Sequence, residues 1–166
     1  FSHGSVAFGP NGVLHLLFTT GPTTAGTTLA YGQCAGNCAT GSSWTMATIE
    51  QSANAGLSMA RLVVGTDGRV HALYETYEQG LTQTKYATCA TNCTQPASWA
   101  STYLTHRFPG AWATYRSTPF VIDAQNRISF VVKYPSTGAD VFLATCGGDC
   151  LTDANWQVGV ASRGGS

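Results

Sequence analysis

The stretch Cys34-Ala-Gly-Asn-Cys38, followed six residues later by Trp44, decides the fold because it occurs three times. The other two copies are Cys89-Ala-Thr-Asn-Cys93 with Trp99 and Cys146-Gly-Gly-Asp-Cys150 with Trp156. All six cysteines of the chain lie in these copies. The cysteines therefore mark a structural repeat and not a single site.

A second pattern lies upstream of each cysteine phrase. Two apolar runs separated by a turn sequence recur at Val6–Phe18, Leu62–Tyr74 and Phe120–Val132. The turns contain Asn-Gly in the first copy and Asp-Gly in the second, which tolerate the positive φ angles of tight hairpins. We predict that each unit opens with a β-hairpin.

A third short run ends at each cysteine phrase, and a fourth begins at each tryptophan. The third runs are Thr28–Tyr31, Thr84–Tyr86 and Asp140–Leu143, and the fourth are Trp44–Ile49, Trp99–Leu104 and Trp156–Val160. No stretch has the length and period of a helix. Repeats of four short antiparallel strands are typical of β-propeller blades, and less often of stacked sheets. The sequence therefore predicts an all-β fold of three four-stranded blades, at residues 1–56, 57–114 and 115–166, with a loop at Thr105–Tyr115.

Three blades do not close a propeller, because closed rings have about four to eight. The chain begins and ends at equivalent points of the repeat, so two copies meeting head to tail could form a six-bladed ring. A segment of a longer propeller explains the same pattern. The sequence leaves both interpretations open.

The paired cysteines predict three disulfides, Cys34–Cys38, Cys89–Cys93 and Cys146–Cys150. Each would close a short loop, contribute about 2 kcal/mol and hold the turn between the third and fourth strands. Metal binding would need two further ligands per phrase, and no His or Cys lies nearby in sequence, so we expect no metal at the cysteines. Since each tryptophan recurs at one position beside a disulfide, we expect it to have a packing role that serves the blade and not to stack on a ligand.

The amino-acid composition restricts the classes of molecule that this protein is expected to bind. Charged residues make up 10% of the chain and the net charge is zero, whereas nucleic-acid partners require a basic surface. We expect no nucleic-acid partner and no membrane span. The disulfides and the neutral polar composition favour a secreted or cell-surface protein. The absence of an N-terminal Met and of a leader suggests a processed or excised segment.

Candidate functional residues are those at which the units differ, since scaffold requirements are shared between units and function need not be. The candidate ligand-binding residues are Arg61, Glu75, Tyr77, Arg107, Trp112, Tyr115 and Arg116. His15 and His71 instead recur at one position, which favours hydrogen-bonded core groups over catalytic bases. We expect no cofactor, although Asp123, Asp140, Asp149 and Asp153 leave a loop calcium site open.

Two motifs of this chain resemble those of a known repeat family. One is the turn phrase, Pro10-Asn11-Gly12 and Asp67-Gly68, each followed by a hydrophobic residue and His, and the other is the Cys-x-x-x-Cys phrase with its Trp. On these motifs nearly the whole chain resembles the secreted bacterial propeller repeats of the BNR or sialidase-like type. The resemblance implies a propeller outside the cytoplasm. It implies no activity, because the sialidase Asp box, Ser-x-Asp-x-Gly-x-Thr-Trp, is not matched and Thr66-Asp67-Gly68 has the wrong spacing.

The leading functional hypothesis is an extracellular β-propeller binding module that recognises carbohydrate, since an aromatic, Thr- and Asn-rich, charge-poor surface suits neutral polyols. A glycoside hydrolase or lyase is the first alternative. It needs converging carboxylates, and the only close pair in sequence is Glu75 and Glu78, whose odd spacing points them to opposite faces of a strand. A structural unit of an extracellular assembly is the second alternative.

Overall fold

A computed structural model describes residues 4–21, 26–53, 56–78, 81–104, 119–133 and 141–162. This part of the chain forms three four-stranded antiparallel sheets, each following the strands in chain order. The first sheet contains β1 (Gly4–Phe8), β2 (Leu14–Thr20), β3 (Thr27–Cys34) and β4 (Thr45–Ser52). The second contains β5 (Gly56–Val64), β6 (Val70–Glu78), β7 (Leu81–Cys89) and β8 (Ala100–Tyr103). The third contains β9 (Phe120–Ile122), β10 (Ile128–Lys133), β11 (Val141–Cys146) and β12 (Gln157–Ser162). The predicted all-β class and the three four-stranded units are confirmed, whereas the predicted loop at Thr105–Tyr115 lies outside the described residues.

The hairpin turns between the first two strands form as predicted. The backbone N–H groups of Gly9 and Gly65 each donate to a carbonyl four residues later, at 2.8 Å. Gly12, Gly68 and, in the third sheet, Asn126 adopt positive φ angles of 73°, 80° and 58°. Gly and Asn are the residues that tolerate this region most readily, which explains their recurrence in the turn.

The predicted disulfides Cys34–Cys38, Cys89–Cys93 and Cys146–Cys150 are all present. After each disulfide, a short 3₁₀ turn leads the chain to the tryptophan. The indole Nε1 of that tryptophan then donates to the carbonyl of the second cysteine, at 3.1, 2.8 and 3.0 Å in the three sheets. Each disulfide loop is therefore hydrogen-bonded to the tryptophan that directly precedes the fourth strand. The three disulfides are consistent with an extracellular protein.

The hydrophobic core is divided between the two boundaries at which neighbouring sheets meet. One core joins the first and second sheets, and its members include Leu17, Leu29, Tyr31, Leu62, Ala72 and Tyr74. The other joins the second and third sheets, and its members include Leu73, Tyr86, Leu104, Phe130, Ala144 and Trp156. Because successive residues of a strand point to opposite faces, Ala72 belongs to one core and Leu73 to the other. The second sheet is thus covered on both faces.

A partly buried polar link also joins the first two sheets. Lys85 Nζ donates to Glu50 Oε2 at 2.7 Å, and Tyr74 Oη donates to the same oxygen at 2.6 Å. Lys85 Nζ also lies 4.9 Å from the ring centroid of Tyr103. Burial, with the adjacent Glu50 carboxylate, raises the pKa of Tyr74 well above its usual range, so its hydroxyl remains a donor.

We expect Lys85→Met to lower the free energy of unfolding by about 2 kcal/mol, because Glu50 would lose its cation in a partly buried site. Urea denaturation measures this loss. The matched control is Arg127→Met, which removes an ion pair to Asp123 of the same 2.7 Å length but on the surface, where little change is expected. Equal losses in the two variants would contradict a structural role for the Lys85 pair.

Candidate functional site

Three of the candidate residues predicted from sequence lie on β5 and β6 of the second sheet. Arg61 is partly buried and donates from Nη1 to the Ala60 carbonyl at 3.0 Å. Glu75 is buried and accepts a hydrogen bond from Ser58 Oγ at 3.4 Å, whereas Tyr77 is exposed. Near them β5 contains a bulge between Ser58 and Arg61. These positions neither support nor contradict a ligand site there, so the prediction stands as made.

The remaining candidates, Arg107, Trp112, Tyr115 and Arg116, lie outside the described residues. The side chain of Glu78 does as well, so the carboxylate pair required by the hydrolase alternative stays a prediction.

The structure shows polar pockets at the other end of the sheets, beside the hairpin turns and the disulfide loops. The first pocket has a volume of about 370 Å³. It is lined by His15, Gln33, Ser43 and Thr45 of the first sheet and its loops, together with the turn glycine Gly68 of the second sheet. The pocket therefore spans the boundary between the first two sheets.

The second pocket lies at the next boundary and has a volume of about 240 Å³. Its lining from the second sheet is Arg69, His71, Tyr86 and Thr88, and its lining from the third is the disulfide-loop segment 148–151. Three lining positions recur between the pockets: Val13 corresponds to Arg69, His15 to His71 and Gln33 to Thr88. The two pockets therefore share three positions of the repeat, whereas the next sheet contributes its hairpin turn to the first pocket and its disulfide loop to the second.

Each pocket is lined by the histidine of a buried histidine–tyrosine pair, and the tyrosine of the pair lines the second pocket as well. His15 Nδ1 and Tyr31 Oη share a hydrogen bond of 2.6 Å, and His71 Nδ1 and Tyr86 Oη share one of 2.7 Å. Burial lowers the pKa of His15, lowers that of His71 to about 4, and raises those of Tyr31 and Tyr86 to about 12. Both pairs are neutral at pH 7. The sequence-based prediction that these histidines are hydrogen-bonded core groups is confirmed.

The second pocket carries polar groups suited to a ligand. His71 Nε2 is buried and has no hydrogen-bond partner among the described residues. Arg69 Nε lies 3.9 Å from Asp67 Oδ2, with both side chains substantially exposed. Across the boundary, Asp149 accepts hydrogen bonds from the Leu151 N–H at 3.2 Å and the Thr152 hydroxyl at 2.7 Å. Asp149 therefore stabilises its own loop while lining the pocket.

Sequence reasoning did not include Arg69, Thr88 or Asp149 among the ligand candidates. A signal for two of them existed, because Arg69 stands where the first unit has Val13, and Asp149 stands where the other units have Asn37 and Asn92. What the sequence could not provide was the boundary between sheets, which brings residues 69 and 149 to one pocket.

The part of the chain that the structure describes contains neither a metal-binding cluster nor a membrane-spanning helix. No group of three or more His, Cys, Asp or Glu side chains that could hold a metal ion occurs among the described residues. The Asp123 carboxylate accepts hydrogen bonds from the Arg127 backbone N–H, the Arg127 side chain and the Gln125 N–H, and these bonds hold its pKa below the usual range. Within the described ranges, no helix has the length and hydrophobicity needed to cross a membrane.

The fold and the pockets define an all-β protein of three four-stranded sheets with a polar pocket at each of the two boundaries between them. No protein-family model matches the chain, and no curated protein is significantly similar to it.

Proposed function

We propose that each sheet is a blade of an extracellular β-propeller and that the chain is a binding module for neutral carbohydrate. The observation that carries this proposal is the polar pocket at both sheet boundaries, lined in each case by the histidine of a buried histidine–tyrosine pair. A propeller places equivalent boundaries around a ring, and repeated sites are a common consequence of repeated units. The three disulfides support the extracellular location.

The chemistry of the pockets supports a sugar as the ligand. Sugar hydroxyls both donate and accept hydrogen bonds, and the pockets offer Gln33, Thr88 and Ser43 as neutral partners of both kinds. The neutral histidine–tyrosine pairs present no charge that a neutral ligand would have to desolvate. Arg69 and Asp149 occur only in the second pocket, so we expect the two pockets to differ in preference.

The test is binding of the oxidised full chain to an array of neutral glycans, followed by titration with the best ligand. We expect Arg69→Val to weaken binding about tenfold, as the loss of one charged hydrogen-bond donor would. We expect Asp149→Asn to alter affinity without unfolding the loop, because Asn37 occupies that position in the first unit and accepts a hydrogen bond from the Ala39 N–H.

The control is Tyr77→Ser, which truncates an exposed side chain at the opposite end of the second sheet. We expect it to leave binding unchanged. Loss of binding in this variant with normal binding in Arg69→Val would move the site to the residues predicted from sequence. Absence of binding to every neutral glycan would overturn the carbohydrate proposal.

A structural unit of an extracellular assembly is a second candidate function. The observation that favours it is a group of exposed apolar side chains on the first sheet: Val6, Phe8 and Met46. A cluster of this kind marks an interaction surface more often than ordinary exposed residues do.

A further inference from the structure

The outer face of the first sheet, on the side away from the second sheet, is apolar and open. Val6 is 59% exposed, whereas the equivalent residues Leu62 and Phe120 of the other sheets are 4% and 8% exposed. Beside it lies an apolar groove of about 490 Å³, whose lining includes Leu16, Phe18, Trp44 and Met46. The corresponding faces of the second and third sheets are buried, each against the preceding sheet of the chain.

The two internal boundaries show which side chains pack together when such a face is covered. Trp99 of the second sheet meets Tyr31 of the first edge-on, with ring centroids 5.2 Å apart. Trp156 of the third sheet meets Tyr86 of the second in the same way, at 5.6 Å. At each boundary the tryptophan of one sheet therefore packs on the third strand of the sheet before it. Trp44, the equivalent tryptophan of the first sheet, lines the open groove.

The outer face of the third sheet supplies the matching surface. Leu143 occupies the position of Tyr31 and Tyr86, and it is 42% exposed where they are 0% and 2%. Val121, at the position of Ala7 and Val63, is exposed as well. Both side chains belong to the face that, in the first two sheets, covers the tryptophan of the next sheet.

We propose that the outer face of the third sheet of one copy docks on the outer face of the first sheet of a second copy, with Leu143 against Trp44. The contact repeats the two boundaries already present within the chain. It is heterologous, and applied twice it closes two copies into a ring of six sheets, which is within the range of known propellers. The inference rests on the propeller proposed above but not on its carbohydrate ligand.

At the proposed contact, some residues differ from their counterparts at the two internal boundaries, and these differences balance in volume. Leu143 is smaller than the tyrosine at the other boundaries, and Met46 is larger than Ser101 at the same position of the second sheet. Gly32 replaces Ala87 and Ala144 of the other sheets. A Cβ at Gly32 would lie 2.5 Å from the Met46 sulfur and 3.2 Å from the Trp44 ring, so glycine allows Met46 to lie beside Trp44. The exposed residues of the two faces are uncharged, namely Val6, Met46, Val121 and Leu143, which suits a desolvated contact.

The test is the solution mass of the oxidised full chain by light scattering over a range of concentrations. We expect a dimer of twice the 17.4 kDa chain mass. Met46→Glu and Leu143→Glu each place a charge in the contact, and each should raise the dissociation constant about 100-fold or more. Gln125→Glu, which adds the same charge in an exposed hairpin turn, should leave the dimer unchanged. Circular dichroism establishes that the variants, altered only at exposed side chains, remain folded.

Mixing the two variants distinguishes a head-to-tail contact from a symmetric one. In a mixed pair, one of the two contacts combines both altered faces and the other combines two natural faces. We therefore expect the mixture to associate more strongly than either variant alone. A monomer at every concentration, a dimer insensitive to Leu143→Glu, or a mixture no stronger than its components would each overturn the inference.

The carbohydrate proposal fails separately from this one. Arg69→Val alters the second pocket and not the docking faces, so we expect it to remain dimeric. An intact dimer that binds no glycan would count against the ligand alone.

Discussion

Trp156→Ala is expected to lower the free energy of unfolding by about 3–5 kcal/mol. The indole is fully buried between Tyr86 and Phe130, with ring centroids 5.6 and 5.2 Å away, and it donates to the Cys150 carbonyl. Its removal would leave a large cavity at the boundary between the second and third sheets and an unsatisfied carbonyl. Chemical denaturation of the oxidised protein measures the loss.

The matched control is Trp44→Ala, which removes the same residue from the same position of the repeat. Trp44 makes the same hydrogen bond, to Cys38, but lines the open groove and is only partly buried. We expect a loss of about 1–2 kcal/mol, from that bond and a fraction of the apolar burial. Both variants are compared in the Leu143→Glu background, so that association of copies does not contribute. Equal losses would mean that the tryptophan stabilises its own disulfide loop and not the boundary between sheets.

The second large effect is a loss of stability in acid caused by His71. Burial lowers the pKa of His71 from 6.5 to about 4, and this effect exceeds the opposing influence of Asp67. Between these two pH values the unfolded chain binds a proton that the folded chain does not. The contribution is therefore fully present above pH 6.5 and is lost as the pH falls toward 4, by about 3 kcal/mol for the full shift. His15, whose pKa is also lowered, acts in the same direction.

The variant His71→Ser isolates this contribution, because Ser129 occupies the equivalent position of the third sheet. Urea denaturation at pH 7 and pH 4 gives the stability change with pH for each protein. We expect the change to be smaller in the variant by roughly the contribution of one histidine, while the carboxylates, which titrate in both proteins, cancel in the comparison. An identical change in the two proteins would show that His71 is accessible to protons in the folded state.

The repeat made much of the fold predictable from single residues. Asn11-Gly12 and Asp67-Gly68 predicted hairpins because few residues accept the positive φ of those turns, and the structure contains both. Cysteines four residues apart predicted local disulfides because a loop of that length closes without help from the rest of the chain. The burial of His15 and His71 was predictable from the apolar residues around them.

The candidate site was less predictable, because residues distant in sequence form it. Arg69 and Asp149 are eighty residues apart and line one pocket only because the second and third sheets stack. The same applies to Lys85 and Glu50, whose ion pair exists only at the boundary between the first and second sheets. The choice of candidates by differences between units included neither Arg69 nor Asp149.

The sequence by itself determined the strands, the turns, the disulfides and the number of sheets, since each depends on the conformational preferences of a few neighbouring residues. The tertiary structure alone decided which faces meet. Tyr31 and Leu143 occupy equivalent strand positions, yet one is buried under a tryptophan and the other is exposed. Burial depends on the sheet that lies opposite, and no local pattern encodes that neighbour.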